Sequence, residues 1–308
     1  MTKFDVIGFG ALNVDNLFKV DKIAGAEEES FVLDYSESCG GSAANTMVGL
    51  ARLGCKTGFI GKVAEDREGK MQLDAFTAEG VNTDGITVSK LGKSGLVMGY
   101  VDRKGARALY INPGVNDQIE PREITWEYVS QTKFLHLTSF VGEKSLRAQK
   151  KLVGSIPEDI KISFDPGSVY AQKGFAAIEP IIRSSYLMMP NALELEMLTG
   201  ETDYQKGAQI LIDSGVKVVA VKLGAKGCYV TDGTVQYRLE PYKVAAVDTT
   251  GAGDAFNAGF LYGLINNKYL GQSGQIGNYV ASRKIMKAGA RAGLPTVKDL
   301  TPVFLDIK

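Results

Sequence analysis

Short runs of β-branched and aromatic residues alternate along most of the chain with amphipathic stretches long enough to form helices. Residues 4–7, 161–164 and 216–221 are typical of buried strands, whereas residues 43–53 and 204–214 have helical periodicity. Strands that alternate with helices pair in parallel, because each helix returns the chain to the same end of the sheet. The sequence therefore predicts an α/β fold with a doubly wound, mostly parallel sheet and helices on both faces. Ligands of such folds bind where the strands end.

Two stretches, residues 14–38 and 85–113, interrupt this alternation. In the second stretch, residues 95–101 and 106–111 flank the turn-forming segment 102–105, which is typical of a β-hairpin. We expect both stretches to form a small β lid on a single domain that covers residues 1–308, because no linker-like tract divides the chain. The apolar residues of the hairpin alternate and predict one dry face, formed by Leu96, Met98, Tyr100, Leu109 and Ile111.

Charge and hydropathy restrict the class of partner. The 308 residues include 35 basic and 35 acidic side chains, so no net positive charge attracts nucleic acid or an anionic membrane. No apolar run approaches the ~20 residues that cross a bilayer, and Asp5 interrupts the start of any signal sequence. We therefore expect a cytoplasmic protein with small-molecule ligands and no nucleic-acid or membrane partner.

The single histidine and the three cysteines exclude several kinds of site. Cys39, Cys55 and Cys228 form no C-x-x-C pair, which argues against a disulfide framework and a cysteine-rich zinc site. His136 alone cannot complete a metal site that needs two imidazoles, and its apolar neighbours predict a core residue. Acid–base chemistry must then come from carboxylates, lysine or tyrosine.

The segment 247–260 contains the strongest catalytic motif. Gly251, Ala252 and Gly253 can turn their amide groups inward at the start of a helix, which creates an anion hole supported by the helix dipole. Asp254 follows in the first turn, where it could simply cap the helix. A carboxylate beside an anion hole is also what phosphoryl transfer to an alcohol requires, because it can accept the hydroxyl proton.

Two earlier segments predict an acceptor site. Asn13 and Asp15 lie two residues apart at a strand end and so share one face. Gly40 and Gly41 allow a close backbone approach before a helix whose first turn contains Asn45. Residues 6–13 also begin like a dinucleotide-binding fingerprint, but an asparagine replaces its third glycine and a strand-like segment follows, which disfavours a nicotinamide oxidoreductase.

Further residues at predicted strand ends suit a nucleotide and its metal. Asn191 and Glu194 offer oxygen atoms for Mg²⁺ waters and phosphate. Lys222, Gly224 and Gly227 form a cationic glycine turn, and small residues around Asn278 and in segment 289–293 could let a base pack closely. Each of these features alone is also typical of a turn, a helix cap or a surface charge.

Taken in order, these motifs resemble those of the ribokinase-like (PfkB) family of carbohydrate kinases. Segments 40–45 and 248–259 are similar to its two signature motifs, and Asn191-x-x-Glu194 and Lys222-x-Gly224-x-x-Gly227 to its metal and nucleotide motifs. The resemblance extends over about residues 4–298. It implies a ribokinase-like fold whose lid corresponds to the two interrupting stretches.

The resemblance also implies a role for each site residue. Asp254 would be the base and residues 251–253 the anion hole. The sugar hydroxyls would be bound by Asn13, Asp15, Gly40, Gly41 and Asn45, and the nucleotide by Asn191, Lys222, Gly224, Gly227 and Asn278. Glu194 would act through Mg²⁺.

The implied activity is transfer of a terminal phosphoryl group from a nucleotide to a hydroxyl of a small sugar. ATP is the expected donor, although ADP stays open, as do a monovalent cation and a homodimer formed through the lid. A nucleoside kinase and a sugar-phosphate kinase are the alternative enzymes. A ligand-binding sensor on the same fold is the alternative without catalysis, because function depends on the site rather than on the fold.

Overall fold

The computed structural model describes residues 2–300, which form 13 strands, 11 α-helices and three short 3₁₀ helices. The strands are β1 (Phe4–Phe9), β2 (Asn13–Val20), β3 (Val32–Gly40), β4 (Thr57–Ala64), β5 (Asn82–Ser89), β6 (Gly95–Val101), β7 (Arg107–Asn112), β8 (Thr132–Thr138), β9 (Lys161–Asp165), β10 (Leu187–Met188), β11 (Val218–Lys222), β12 (Cys228–Thr231) and β13 (Gln236–Leu239). The α-helices are α1 (Ser42–Arg52), α2 (Arg67–Ala78), α3 (Trp126–Val129), α4 (Glu143–Val153), α5 (Gly167–Lys173), α6 (Phe175–Ser184), α7 (Ala192–Thr199), α8 (Tyr204–Asp213), α9 (Ala252–Ile265), α10 (Leu270–Lys284) and α11 (Val297–Leu300). The 3₁₀ helices are Gly114–Gln118, Pro121–Glu123 and Gly224–Lys226.

Nine strands form the main sheet, in the order β13-β12-β11-β10-β9-β8-β1-β4-β5. The seven strands from β11 to β5 are parallel, and β12 and β13 extend one edge antiparallel. The chain starts in the middle at β1, winds outward through β4 and β5, and returns to β8 on the other side of β1. This reversal confirms the predicted doubly wound sheet and creates a crevice at the carboxyl ends of the central strands.

The core has two parts, one on each face of the main sheet. Ile7 and Phe9 of β1 belong to the part that contains α4, α6 and α8, whereas Val6 belongs to the part that contains α1, α9 and α10. Alternate residues of a strand point to opposite faces, so a strand covered on both sides must be apolar throughout. The helices therefore cover both faces, as the sequence predicts.

His136 lies in β8 and is fully buried, as expected for a core residue. Its Nδ1 atom is 3.1 Å from Ser163 Oγ on the neighbouring strand β9. Burial lowers the pKa of this imidazole to about 4, because the charged form is poorly solvated there. The side chain is therefore neutral at physiological pH.

The four remaining strands form a separate small sheet, in the order β3-β2-β6-β7, which we call the lid sheet. Strands β2 and β6 pair in parallel, and the two outer pairs are antiparallel. The expected boundary of the second lid segment at residue 85 is wrong, because residues 82–89 form β5 and pair with β4 in the main sheet. The second segment enters the lid sheet only at Gly95.

The predicted dry face of the β6–β7 hairpin is also wrong. Met98 lies opposite Tyr110, whereas Gly99 lies opposite Leu109 and Val97 opposite Ile111. Directly opposite residues share a face of the sheet, so Leu109 and Ile111 point away from the side that carries Met98. The reason is the five-residue loop 102–106. Its length sets the register so that even-numbered residues of β6 lie opposite even-numbered residues of β7, and odd-numbered residues opposite odd-numbered ones. Alternation within each strand does not reveal this register.

Within residues 2–300, no helix combines the length and the apolar character that crossing a membrane requires.

Candidate active site

The turn that leads into α9 begins at Gly251, whose φ of 75° is in the left-handed region that favours glycine. A Cβ atom at this position would lie 3.0 Å from the carbonyl oxygen of Ala290, so glycine also permits close packing there. The amide of Ala252 already donates to Thr249 O at 3.1 Å. The hole predicted at residues 251–253 therefore depends mainly on first-turn amides after Ala252, which lack carbonyl partners within a helix.

Asp254 is half-buried in the first turn of α9, and two side chains of α1 hold its carboxylate. Ser42 Oγ donates to Asp254 Oδ1 at 2.6 Å, and Asn45 Nδ2 donates to Asp254 Oδ2 at 2.8 Å. Burial raises the pKa of Asp254 above its usual range, although these two hydrogen bonds favour the ionised form. The segments 40–45 and 248–259 thus meet at the carboxylate of Asp254. Sequence reasoning did not assign a role to Ser42.

The predicted acceptor residues lie around the start of the lid sheet. Gly40 packs so closely against Asp15 that a Cβ atom there would lie 2.1 Å from Asp15 Oδ2. The side-chain oxygen of Asn13 accepts a 2.9 Å hydrogen bond from Asn116 Nδ2. Asn116 also holds both backbone groups of Leu12 at 2.9 Å. The segment 112–116 thus fixes the strand end that carries Asn13 and Asp15.

Burial raises the pKa of Asp15 to about 6, and the negative charge of Asp254 adds to this effect. The guanidinium group of Arg291 opposes it. Arg291 Nε donates to Asn45 Oδ1 at 2.8 Å, and Nη2 donates to Gly40 O at 3.3 Å. Arg291 therefore contacts two of the predicted acceptor residues, and the packing of small residues in segment 289–293 against a nucleotide base stays a prediction.

A buried ion pair lies beside the predicted anion hole. Lys222 Nζ donates to Asp165 Oδ2 at 2.6 Å, and Asn257 Nδ2 donates to the same oxygen at 2.6 Å. A Cβ atom on Gly253 would lie 3.4 Å from Lys222 Nζ, so this ammonium group faces the first turn of α9. Burial opposes the charge of Lys222, but Asp165 and Glu194 raise its pKa, and the group stays protonated. Asp165 was missed in the sequence, although it ends a parallel strand.

Asn191 and Glu194 form a capping box at the start of α7. Glu194 N donates to Asn191 Oδ1 at 2.9 Å, and Asn191 N donates to Glu194 Oε2 at 2.8 Å. Burial raises the pKa of Glu194, and the negative charge of Asp165 adds to this. The pair therefore does form the helix cap that the sequence left open as an alternative. The capping oxygen is Oε2, which leaves Oε1 for another ligand.

The remaining predicted nucleotide residues line the turn after β11 and the loop after β13. Gly224 has a φ of 58° and open space where a Cβ atom would be. Gly227 packs against the backbone of Leu239, 2.1 Å from the position of a Cβ atom. Asn278 Nδ2 donates to Leu239 O at 3.3 Å and to Glu240 O at 3.1 Å. Its amide group therefore holds this loop, and its position in the nucleotide site stays a prediction.

One face of the lid sheet points toward this cleft, because it carries both Asn13 and Asp15. Leu109 and Ile111 share that face and are 59% and 49% exposed. Arg107, also on it, reaches across to within 4.0 Å of Asp248 Oδ1. The closing of this apolar face over an acceptor stays a prediction, as does a homodimer through the lid.

The comparisons with known proteins agree with this geometry. A model of the pfkB family of carbohydrate kinases matches residues 3–297. A sugar kinase from Archaeoglobus fulgidus, itself described as uncharacterized, is 45% identical over 255 residues, which are 82% of this chain and all of the relative. The ATP-dependent ribose-1-phosphate kinase of Halopiger xanaduensis is 29% identical over 300 residues, 97% of each chain. The crystal structure of ribokinase from Thermotoga maritima matches with a TM-score of 0.88 and 25% identity, covering 98% of this chain and 99% of that one.

The chain therefore belongs to the PfkB family of carbohydrate kinases. It is a sugar kinase of that family, a phosphotransferase with an alcohol group as acceptor.

The raised pKa of Asp15 predicts a stability that depends on pH. A carboxyl whose folded pKa of about 6 exceeds the ordinary 3.8 stabilises the fold at low pH and loses this contribution as pH rises through 6. Asp15→Asn should therefore raise the free energy of unfolding by about 3 kcal/mol at pH 8 and by less at pH 5. Urea unfolding at both pH values measures the difference. Asp34→Asn, an exposed control on β3, should give no such gain, and an equal effect of Asp15→Asn at both pH values would refute the raised pKa.

Proposed function

We propose that this enzyme transfers the terminal phosphoryl group of a nucleotide, ATP in preference to ADP, to a hydroxyl of a small sugar, with Asp254 as the general base. The observation that carries the proposal is the position of this carboxylate. It lies in the first turn of α9, beside the amides of the anion hole, and α1 residues next to the acceptor site hold it. A hydroxyl bound beside Asp15 and Asn45 would thus face both the base and the site of the phosphoryl group.

The reaction follows from this arrangement. The hydroxyl oxygen forms a bond to the terminal phosphorus while its proton passes to Asp254. The bond from phosphorus to the bridging oxygen breaks, and the shortened nucleotide leaves with that electron pair. Amides at the start of α9 and the ammonium of Lys222 stabilise the negative charge on the transferred group, because they are already oriented before the reaction.

A magnesium ion fits this site only if the nucleotide and water supply most of its ligands. Within residues 2–300, no group of three or more His, Cys, Asp and Glu side chains could hold a metal ion by itself. Mg²⁺ in kinases typically keeps several waters and contacts one or two carboxylates plus substrate phosphates. Glu194, through the oxygen that does not cap α7, is the proposed protein contact, and the ion would neutralise phosphate charge.

The polar and charged side chains of the cleft favour two classes of acceptor. The cleft contains Asp15 and Asn45, which suit the hydroxyl groups of a neutral sugar. A sugar phosphate is the second candidate, because the guanidinium groups of Arg291 and Arg107 border the same cleft. The similarity to a ribose-1-phosphate kinase also favours this candidate.

The direct test is turnover of ATP and ADP with a panel of pentoses, hexoses, their phosphates and nucleosides. Asp254→Asn keeps the size and most hydrogen bonds of the side chain but cannot accept the proton. With the best acceptor, kcat should fall by roughly 10² or more, while acceptor affinity changes little. Nucleotide consumption without a phosphorylated product would contradict the proposed function.

Ser42→Ala is the matched control for Asp254→Asn, since it removes one hydrogen bond to the carboxylate but keeps the base. Its kcat should fall far less. Equal losses in the two folded variants would argue for disrupted packing rather than a lost base.

The proposed metal contact predicts a change in Mg²⁺ requirement. Glu194→Gln keeps an oxygen that can accept the capping hydrogen bond from Asn191 N, so α7 should stay intact. The loss of charge should raise the Mg²⁺ concentration that gives the half-maximal rate. A Mg²⁺ titration that overlays that of the parent enzyme would leave Glu194 as a helix cap only.

A further inference from the structure

Lys284, the last residue of α10, carries a fully buried ammonium group. Its Nζ donates to the carbonyl oxygen of Asp248 at 2.8 Å and lies 4.0 Å from Asp248 Oδ2. Burial lowers the pKa of this lysine, whereas the negative charges of Asp248 and Asp254 favour its protonated form. A buried charge is costly unless it is paired, and these contacts with Asp248 compensate that cost.

Asp248, the partner of this charge, is also hydrogen-bonded to the turn that follows it and to the chain after α10. Its carboxylate accepts hydrogen bonds from Thr250 N at 2.9 Å and Gly289 N at 2.8 Å. Its own amide donates to Ile285 O at 3.1 Å. The loop from 240 to 248 has no helix or strand, so these contacts fix where it ends.

That end point positions the anion hole. Asp248 precedes Gly251 by three residues. Gly251 packs against the backbone of Ala290, which follows Gly289 in the chain after α10. A displacement of Asp248 would therefore move the turn that orients the first amides of α9. Misplacing reacting groups by about 1 Å can cost roughly 10²-fold in rate.

We infer that Lys284 is a positioning residue, a fixed ammonium that orders the Asp248 turn beneath the anion hole and makes a dissociable monovalent cation unnecessary. The carbonyl and carboxylate oxygens of Asp248 are ligands that such a cation would use. Lys284 Nζ already lies 2.8 Å from the carbonyl oxygen and 4.0 Å from the carboxylate oxygen Oδ2. The residues at the Asp248 turn thus do not fit an added cation. This argues against the monovalent cation that the sequence leaves open.

The inference rests on the proposed function for its rate measurement, but not for its stability measurement. The parent enzyme should transfer phosphoryl groups at the same rate, within about twofold, in potassium chloride and in choline chloride of equal ionic strength. Its thermal unfolding midpoint should be the same in both salts. A rate at least tenfold higher in potassium, or a midpoint clearly raised by potassium, would overturn the inference. An enzyme with no transfer to any acceptor would instead refute the proposed function.

Removal of the Lys284 ammonium group should make the enzyme depend on an added monovalent cation, which the parent enzyme does not need. Lys284→Ala should lose about 10- to 100-fold in kcat in choline chloride. Potassium or methylammonium should restore part of the rate and raise the unfolding midpoint. Lys287→Ala, an exposed lysine three residues further on, is the matched control and should respond to neither ion.

Full activity of Lys284→Ala in choline chloride would refute the positioning role. The role would also be refuted if potassium or methylammonium raised the unfolding midpoint of Lys287→Ala as much as that of Lys284→Ala. If Lys284→Ala does not fold in any salt, the comparison of the two salts with the parent enzyme decides the question.

Discussion

The site depends on the close packing of α1 against α9, which brings the first turns of both helices to the same point of the cleft. Gly49 of α1 lies so near α9 that a Cβ atom there would be 2.8 Å from Ala258 Cβ. With the helices this close, Ser42 and Asn45 reach the carboxylate of Asp254. One helix follows the lid sheet and the other follows the Asp248 loop, so a single carboxylate joins the proposed acceptor half of the site to the proposed phosphoryl half.

The sequence predicted the parts of this arrangement that are local in the chain. The α/β alternation gives the sheet, because burial on both faces requires apolar strands. Glycine at position 251 marks the turn before α9, since the left-handed backbone there favours glycine. The pair Asn13 and Asp15 shares a face because alternation in a strand is a local property.

The rest depends on which distant segments come together, and no local pattern encodes that. The register of the lid hairpin follows from its loop length and decides which face carries Leu109. Asp165, Lys284 and Arg291 are unremarkable in sequence, yet each is a charged side chain that hydrogen-bonds to a distant segment. The segment after α10 illustrates this most clearly, because Ala290 packs against Gly251 of the predicted anion hole and Arg291 contacts the predicted acceptor residues.

The most direct test of the account is the pH dependence of single-turnover phosphoryl transfer in the parent enzyme and in Ser42→Ala. Asp254 can accept a proton only when it is ionised, so the rate should fall as pH decreases through its pKa. The hydrogen bond from Ser42 favours the ionised form and lowers this pKa. Its removal should therefore move the acidic limb of the profile to higher pH. A limb that stays in place, or moves to lower pH, would show that another group is the base.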